Sequence, residues 1–212
     1  MEFESLINML ARWGHLLFGM AWIGILYYFN FIQGGYFKSA TPEGLADAKA
    51  KLAPSALWWF RWAAMFTFLT GLVLLDGVFR TGLLNSYIVV GATLGTFMFL
   101  NVWLIIWPNQ KIALGMVEGD AASAGGKALL ASRTNTLFSA PMAFCMLAGP
   151  HYAGYAKSAT MSNNAMWAAV AVVVLLELNA IFGKQGPMAS VRGVIVSSLV
   201  LTGILVAMLQ MM

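Results

Sequence analysis

The chain has little of what builds soluble catalytic centres. Of 212 residues only 9% are charged, two are histidine and one, Cys145, is cysteine. A single cysteine excludes an intrachain disulfide, a cysteine-rich zinc site and a CxxCH motif for covalent haem attachment. Twelve Lys and Arg outnumber eight Asp and Glu. The basic residues are nevertheless spread along the chain and not gathered into one run, which argues against nucleic acid as a partner. Too few polar side chains remain to cover a water-soluble globule.

What is present is apolar: 60% of the residues are hydrophobic, and they fall into six runs. These are residues 6–33, 56–79, 87–107, 134–152, 165–183 and 191–211. Each holds about 19 residues or more, enough to cross a ~30 Å hydrocarbon layer at ~1.5 Å per residue. Continuous runs lack the two-residue alternation of a membrane barrel. The expected fold class is therefore an all-α, polytopic membrane bundle of about six transmembrane helices, forming a single domain over residues 1–212. The first run is too long for a signal-peptide core, follows Glu2 and Glu4 and lacks an obvious cleavage site, so it reads as a retained helix.

Basic residues beside membrane helices are held preferentially in the cytoplasm. Lys38, Lys49, Lys51, Arg61, Lys111, Lys127, Arg133, Lys184 and Arg192 fall on one side, and Arg12, Arg80 and Lys157 on the other. Both termini are expected to be non-cytoplasmic, with membrane lipid as the surrounding partner. Of the connections, Thr41, Pro42 and Glu43 read as the start of a short interfacial helix. Residues 108–132 read as a second surface connection, broken at Gly125 and Gly126. Most of the eight tryptophans lie near the expected interfaces, whereas Trp22 and Trp103 lie deeper.

His15 and His151 both fall toward the outer side of this layout. Two imidazoles at similar depth are what a noncovalently held haem b would need as iron ligands. His15, Gly19 and Trp22, spaced i, i+4 and i+7, share one helix face. Gly19 would leave room for a flat macrocycle, and Arg12, one turn above, would pair with a propionate, oriented by Asp76. The alternative is a His15 hydrogen-bonded within the bundle and a His151 in a wet loop. Glu177, inside the fifth run, needs a partner or a proton. Arg61 lies at matching depth, Arg133 is a second candidate, and Asn101 and Asn179 are placed to join such a polar cluster, as a structural ion pair or a proton relay.

Four phrases carry a resemblance: RWGHLLFGMAWIGILYYFNFIQ from Arg12, FRWAAMFTFLTGLVLL from Phe60, IIWPNQKI from Ile105 and SRTNTLFSAPM from Ser132. Together they resemble the membrane portion of the bacterial cytochrome c-linked urate hydroxylase (membrane urate oxidase) family. The first phrase alone also resembles copper-resistance membrane proteins and the membrane protoporphyrinogen oxidase. The family resemblance implies a multi-pass protein of the bacterial inner (cytoplasmic) membrane and a redox role. In that family a c-type cytochrome domain follows the membrane part and accepts electrons. Because this chain has no CxxCH, a separate c-type cytochrome or a larger membrane complex is expected in its place. Two segments expected to be turns, Pro108–Gln110 and Arg133–Asn135, carry donors suited to a planar anionic purine, or equally to capping helix ends. The expected function is a haem-binding oxidoreductase of the urate hydroxylase type; the alternative is a non-enzymatic subunit that docks to a larger respiratory or oxidase complex.

Overall fold

The structure, a computed structural model, describes residues 2–152 and 163–211. The expected outer loop carrying Lys157 lies largely outside the described residues. Those described form helices and turns with no strand, as required where backbone groups must be satisfied within each segment. Among the described residues five helical stretches are long and apolar enough to cross a membrane: Phe3–Ser39, Pro42–Arg80, Ser86–Ala113, Asn164–Phe182 and Val191–Gln210. The expected sixth span belongs to a helix, Ala121–His151, that is long enough but falls outside this set. Ser132, Arg133, Thr134, Asn135, Thr136 and Ser139 dilute its apolar character, and all six are buried.

The chain divides into two compact units, one of residues 1–80 and 99–132, the other of residues 81–98 and 133–212. In the first unit, α1 (Glu2–Tyr27) continues through a π-helical segment, Tyr28–Gln33, into α2 (Gly34–Ser39). After α3 (Pro42–Asp47) and a second π segment, Ala48–Leu52, comes α4 (Ala53–Arg80). Thr41 caps α3 as expected, accepting from the Gly44 N–H at 3.2 Å, with Pro42 in the first turn. The helix it starts is nevertheless no separate interfacial element, because it runs without a break into α4.

Helices α1 and α4 pack antiparallel. Phe18 meets Phe66 at 5.0 Å and Phe29 meets Phe60 edge-on at 5.4 Å. Gly14 faces Thr70, Gly19 faces Thr67 and Gly77 faces Asn8, so small residues let the two backbones approach.

The widened turns have local causes. Of the three π segments among the described residues, two precede a proline, Pro54 and Pro108, whose ring would clash with the carbonyl four residues back in a regular helix. In the third, the buried Asn30 side chain donates to the Leu26 carbonyl at 2.9 Å and so competes with the backbone for it; it also donates to Ser132 Oγ at 2.8 Å.

The helix α5 (Ser86–Leu100) ends in the first unit, where Phe99 stacks on Phe68 at 4.2 Å, and leads through a π segment, Asn101–Ile106, into α6 (Trp107–Ala113). Helix α7 (Ala121–His151) begins 13 residues before the expected Thr134. Asp120 Oδ1 accepts from the N–H groups of Ala122 and Ser123, and this cap starts the helix ahead of the glycine pair. Gly125, expected to break the chain, instead lies within α7 and faces Ala113.

The second unit holds most of α5 and α7, with α8 (Asn163–Phe182) and α9 (Val191–Met211). Gly91 brings α5 against α7, where an added Cβ would lie 3.1 Å from Cys145 Cβ and 3.3 Å from the Met146 backbone nitrogen. Gly91 thus serves packing within this unit. Asn135 Nδ2 donates to the Met98 carbonyl at 2.9 Å. Pro141, inside α7, has no N–H to offer the Leu137 carbonyl, and Ser198 Oγ of α9 donates to that oxygen at 2.8 Å instead.

Candidate functional site

His15 lies on the buried face of α1 and turns onto α4. Its Nδ1 is 2.9 Å from the Thr67 carbonyl oxygen and 3.3 Å from Thr70 Oγ1. A carbonyl oxygen only accepts, so Nδ1 carries a proton and donates. The lone pair of the neutral ring is then on Nε2, the arrangement that orients an imidazole for ligation through that atom. Thr70 is itself fixed, its hydroxyl donating to the Phe66 carbonyl at 2.6 Å. Gly71 lies under the ring: an added Cβ would come within 3.1 Å of His15 Cε1. The expected hydrogen-bonded placement of His15 in the bundle is what the structure shows, and it leaves the Nε2 lone pair unused by these bonds.

The rest of the expected haem face is placed unevenly. Trp22 is 2% exposed, and its Nε1 has no hydrogen-bond partner among the described residues. Gly19 faces the Thr67 methyl, so the clearance expected beside it is taken up by the α1–α4 contact. Arg12 is exposed and its Nε donates to Asn8 Oδ1 at 2.7 Å. Asp76 pairs with Arg80 at 2.8 Å in place of the expected Arg12. His151 is exposed in the last turn of α7, in the second unit, whereas His15 belongs to the first.

The residues expected to form a polar cluster fall in different units. Arg61 and Asn101 belong to the first, Arg133 and Glu177 to the second. Arg61 stacks on Trp107, with Cζ 3.8 Å from the ring centroid, and the neighbouring Trp62 meets Trp103 edge-on at 5.7 Å. Glu177 is 6% exposed and Asn101 1%. Asn179 donates to the Lys184 carbonyl at 3.1 Å near the end of α8, a capping role.

Neither expected turn is a turn. Pro108–Gln110 forms the first residues of α6, where Asn109 Nδ2 donates to the Ile105 carbonyl at 2.8 Å. Arg133–Asn135 lies well inside α7, in a run from 131 to 139 in which every residue is buried. Arg133 is 8% exposed, and among the described residues its Nε and Nη1 have no acceptor. A capping role for Arg133 is thereby removed. The signal in the sequence was the string of polar residues in the fourth run, which marks a helix wrapped by protein and not by lipid.

Among the described residues no three His, Cys, Asp or Glu side chains gather as a metal-ion site. The family model described as urate oxidase N-terminal matches residues 81–209, more than half of the chain. The match takes in His151, Asn101, Arg133 and Glu177, while His15 and the α1–α4 pair precede it. No curated protein and no solved structure matches.

Proposed function

Since the chain belongs to the urate oxidase N-terminal family, we propose that it is the membrane part of a urate-oxidising redox system of the bacterial inner membrane. Oxidation of urate releases two electrons, which leave for a separate c-type cytochrome or a larger membrane complex. A haem b held by the protein would supply one-electron transfer. His15 would hold it through Nε2, with Arg12, one turn away on the same helix, as the candidate propionate partner.

The observation that supports the haem assignment is the Nδ1–Thr67 hydrogen bond, which makes the ring a donor on one side and leaves a lone pair for ligation on the other. The buried Trp22 Nε1, on the same face and without an acceptor among the described residues, fits a group that brings oxygen atoms. Thr67 and Thr70 hold the imidazole in place, and the apolar α1–α4 interface around it limits water.

The test is the visible absorption spectrum of the purified protein, oxidised and then reduced with dithionite, together with pyridine extraction of any haem. Sharp reduced bands and extractable haem b are expected, lost in His15→Ala. Reduction by urate in the presence of a c-type cytochrome is the second expectation. A featureless spectrum after expression with haem supplied, or bands unchanged in His15→Ala, refutes the ligand assignment. Turnover confined to a stoichiometric complex with other subunits would assign the chain the non-enzymatic docking role instead.

A further inference from the structure

The least expected residue in the second unit is Arg133. It lies inside α7, 8% exposed, where residues 131–139 are buried on every face. Its Nε and Nη1 have no acceptor among the described residues. Neighbouring donors are already engaged: Asn135 Nδ2 binds the Met98 carbonyl and Ser139 Oγ binds the Thr136 carbonyl at 2.7 Å. Ser198 Oγ closes on the Leu137 carbonyl. A guanidinium cannot shed its charge at any physiological pH, so burial with open donors is unfavourable until an anion arrives.

We infer that Arg133 is the anchor of a small-anion site inside the second unit, and that the anion is an oxopurine of the urate class. The guanidinium donates in-plane hydrogen bonds to the oxygen and ring-nitrogen acceptors of a flat monoanion, which suits the fork of Arg better than the point charge of Lys. The identity of the anion rests on the urate reading above; the anchor itself rests on the burial and open donors of Arg133. Arg133 also lies within the segment that matches the family, as His15 does not.

The experiment is equilibrium dialysis of radiolabelled urate against the purified full chain in detergent, with Arg133→Gln and Arg133→Lys alongside and iodide as a second probe. The expected result is saturable urate binding that weakens at least tenfold in Arg133→Gln and less in Arg133→Lys. The melting temperature without ligand should stay level or rise in Arg133→Gln, because an uncompensated buried charge has been removed. A fall in that temperature in both variants would make Arg133 a structural residue and overturn the proposal. Equal urate binding by wild type and Arg133→Gln would overturn the anchor and leave the urate reading standing. Iodide binding that depends on Arg133, with no urate binding, would keep the anchor and overturn the urate class. Binding of neither probe would overturn both.

Discussion

At the scale of single residues, the sequence marks which side chains are unusual and is silent on what they touch. His15 stands out as one of two histidines, but its partner is a backbone carbonyl 52 residues away in sequence, which no local spacing reveals. The same holds for Gly71, which reads as an ordinary small residue of an apolar helix and proves to be the surface on which the imidazole rests. Gly71→Ala should place a methyl 3.1 Å from His15 Cε1. The ring must then shift from Thr67, with a stability loss of about 1–3 kcal/mol for overpacking. Gly24, on the exposed side of α1, is the control, since an added Cβ there meets nothing within 4 Å. Gly24→Ala should stabilise the helix by roughly 0.5–1 kcal/mol, as expected when alanine replaces glycine in a helix interior. Thermal unfolding in detergent checks both, and a haem spectrum altered only in Gly71→Ala would tie the packing to the ligand. Equal melting temperatures in the two variants would refute the packing argument.

At the scale of elements, apolar length locates helices well and polar breaks locate their ends poorly. The runs at residues 165–183 and 191–211 correspond closely to α8 and α9, because nothing but lipid-compatible side chains lies between their ends. Helix α7 defeats the same logic twice: a good cap at Asp120 outweighs the glycine pair, and polar residues fit its interior because protein surrounds them. Its Pro141 gives a quantitative test. Ser198→Ala removes the donor to the Leu137 carbonyl and should cost about 1–3 kcal/mol, the penalty for a buried group left unsatisfied. Pro141→Ala restores the N–H that a regular helix directs at that carbonyl. In the Pro141→Ala background Ser198→Ala should therefore cost clearly less, and a double-mutant cycle measures the difference. Additive effects would show that Ser198 acts on α7 independently of the proline, through its second contact, the Thr136 carbonyl at 3.2 Å.

At the scale of the whole molecule, composition alone makes the all-helical fold legible, since a chain this apolar has few other ways to satisfy its backbone. The division into two units is not legible, because it cuts across α5 and α7 and follows packing instead of chain order. Orientation in the membrane is decided by charge, and it bears directly on the proposed electron route. Nine of the twelve Lys and Arg fall on one side of the expected layout, so that side should face the cytoplasm and the His15 end of α1 should face outward. The buried native Cys145 can be replaced by alanine, leaving single cysteines introduced at exposed positions as reporters. Ser5→Cys should react with a membrane-impermeant maleimide added to intact spheroplasts. Ser39→Cys and Ser123→Cys should react only after permeabilisation. The reversed pattern would put His15 near the cytoplasmic face, out of reach of a cytochrome on the outer side. Electron delivery outward would then need a carrier crossing the membrane, and the proposed route would fall even if urate oxidation itself held.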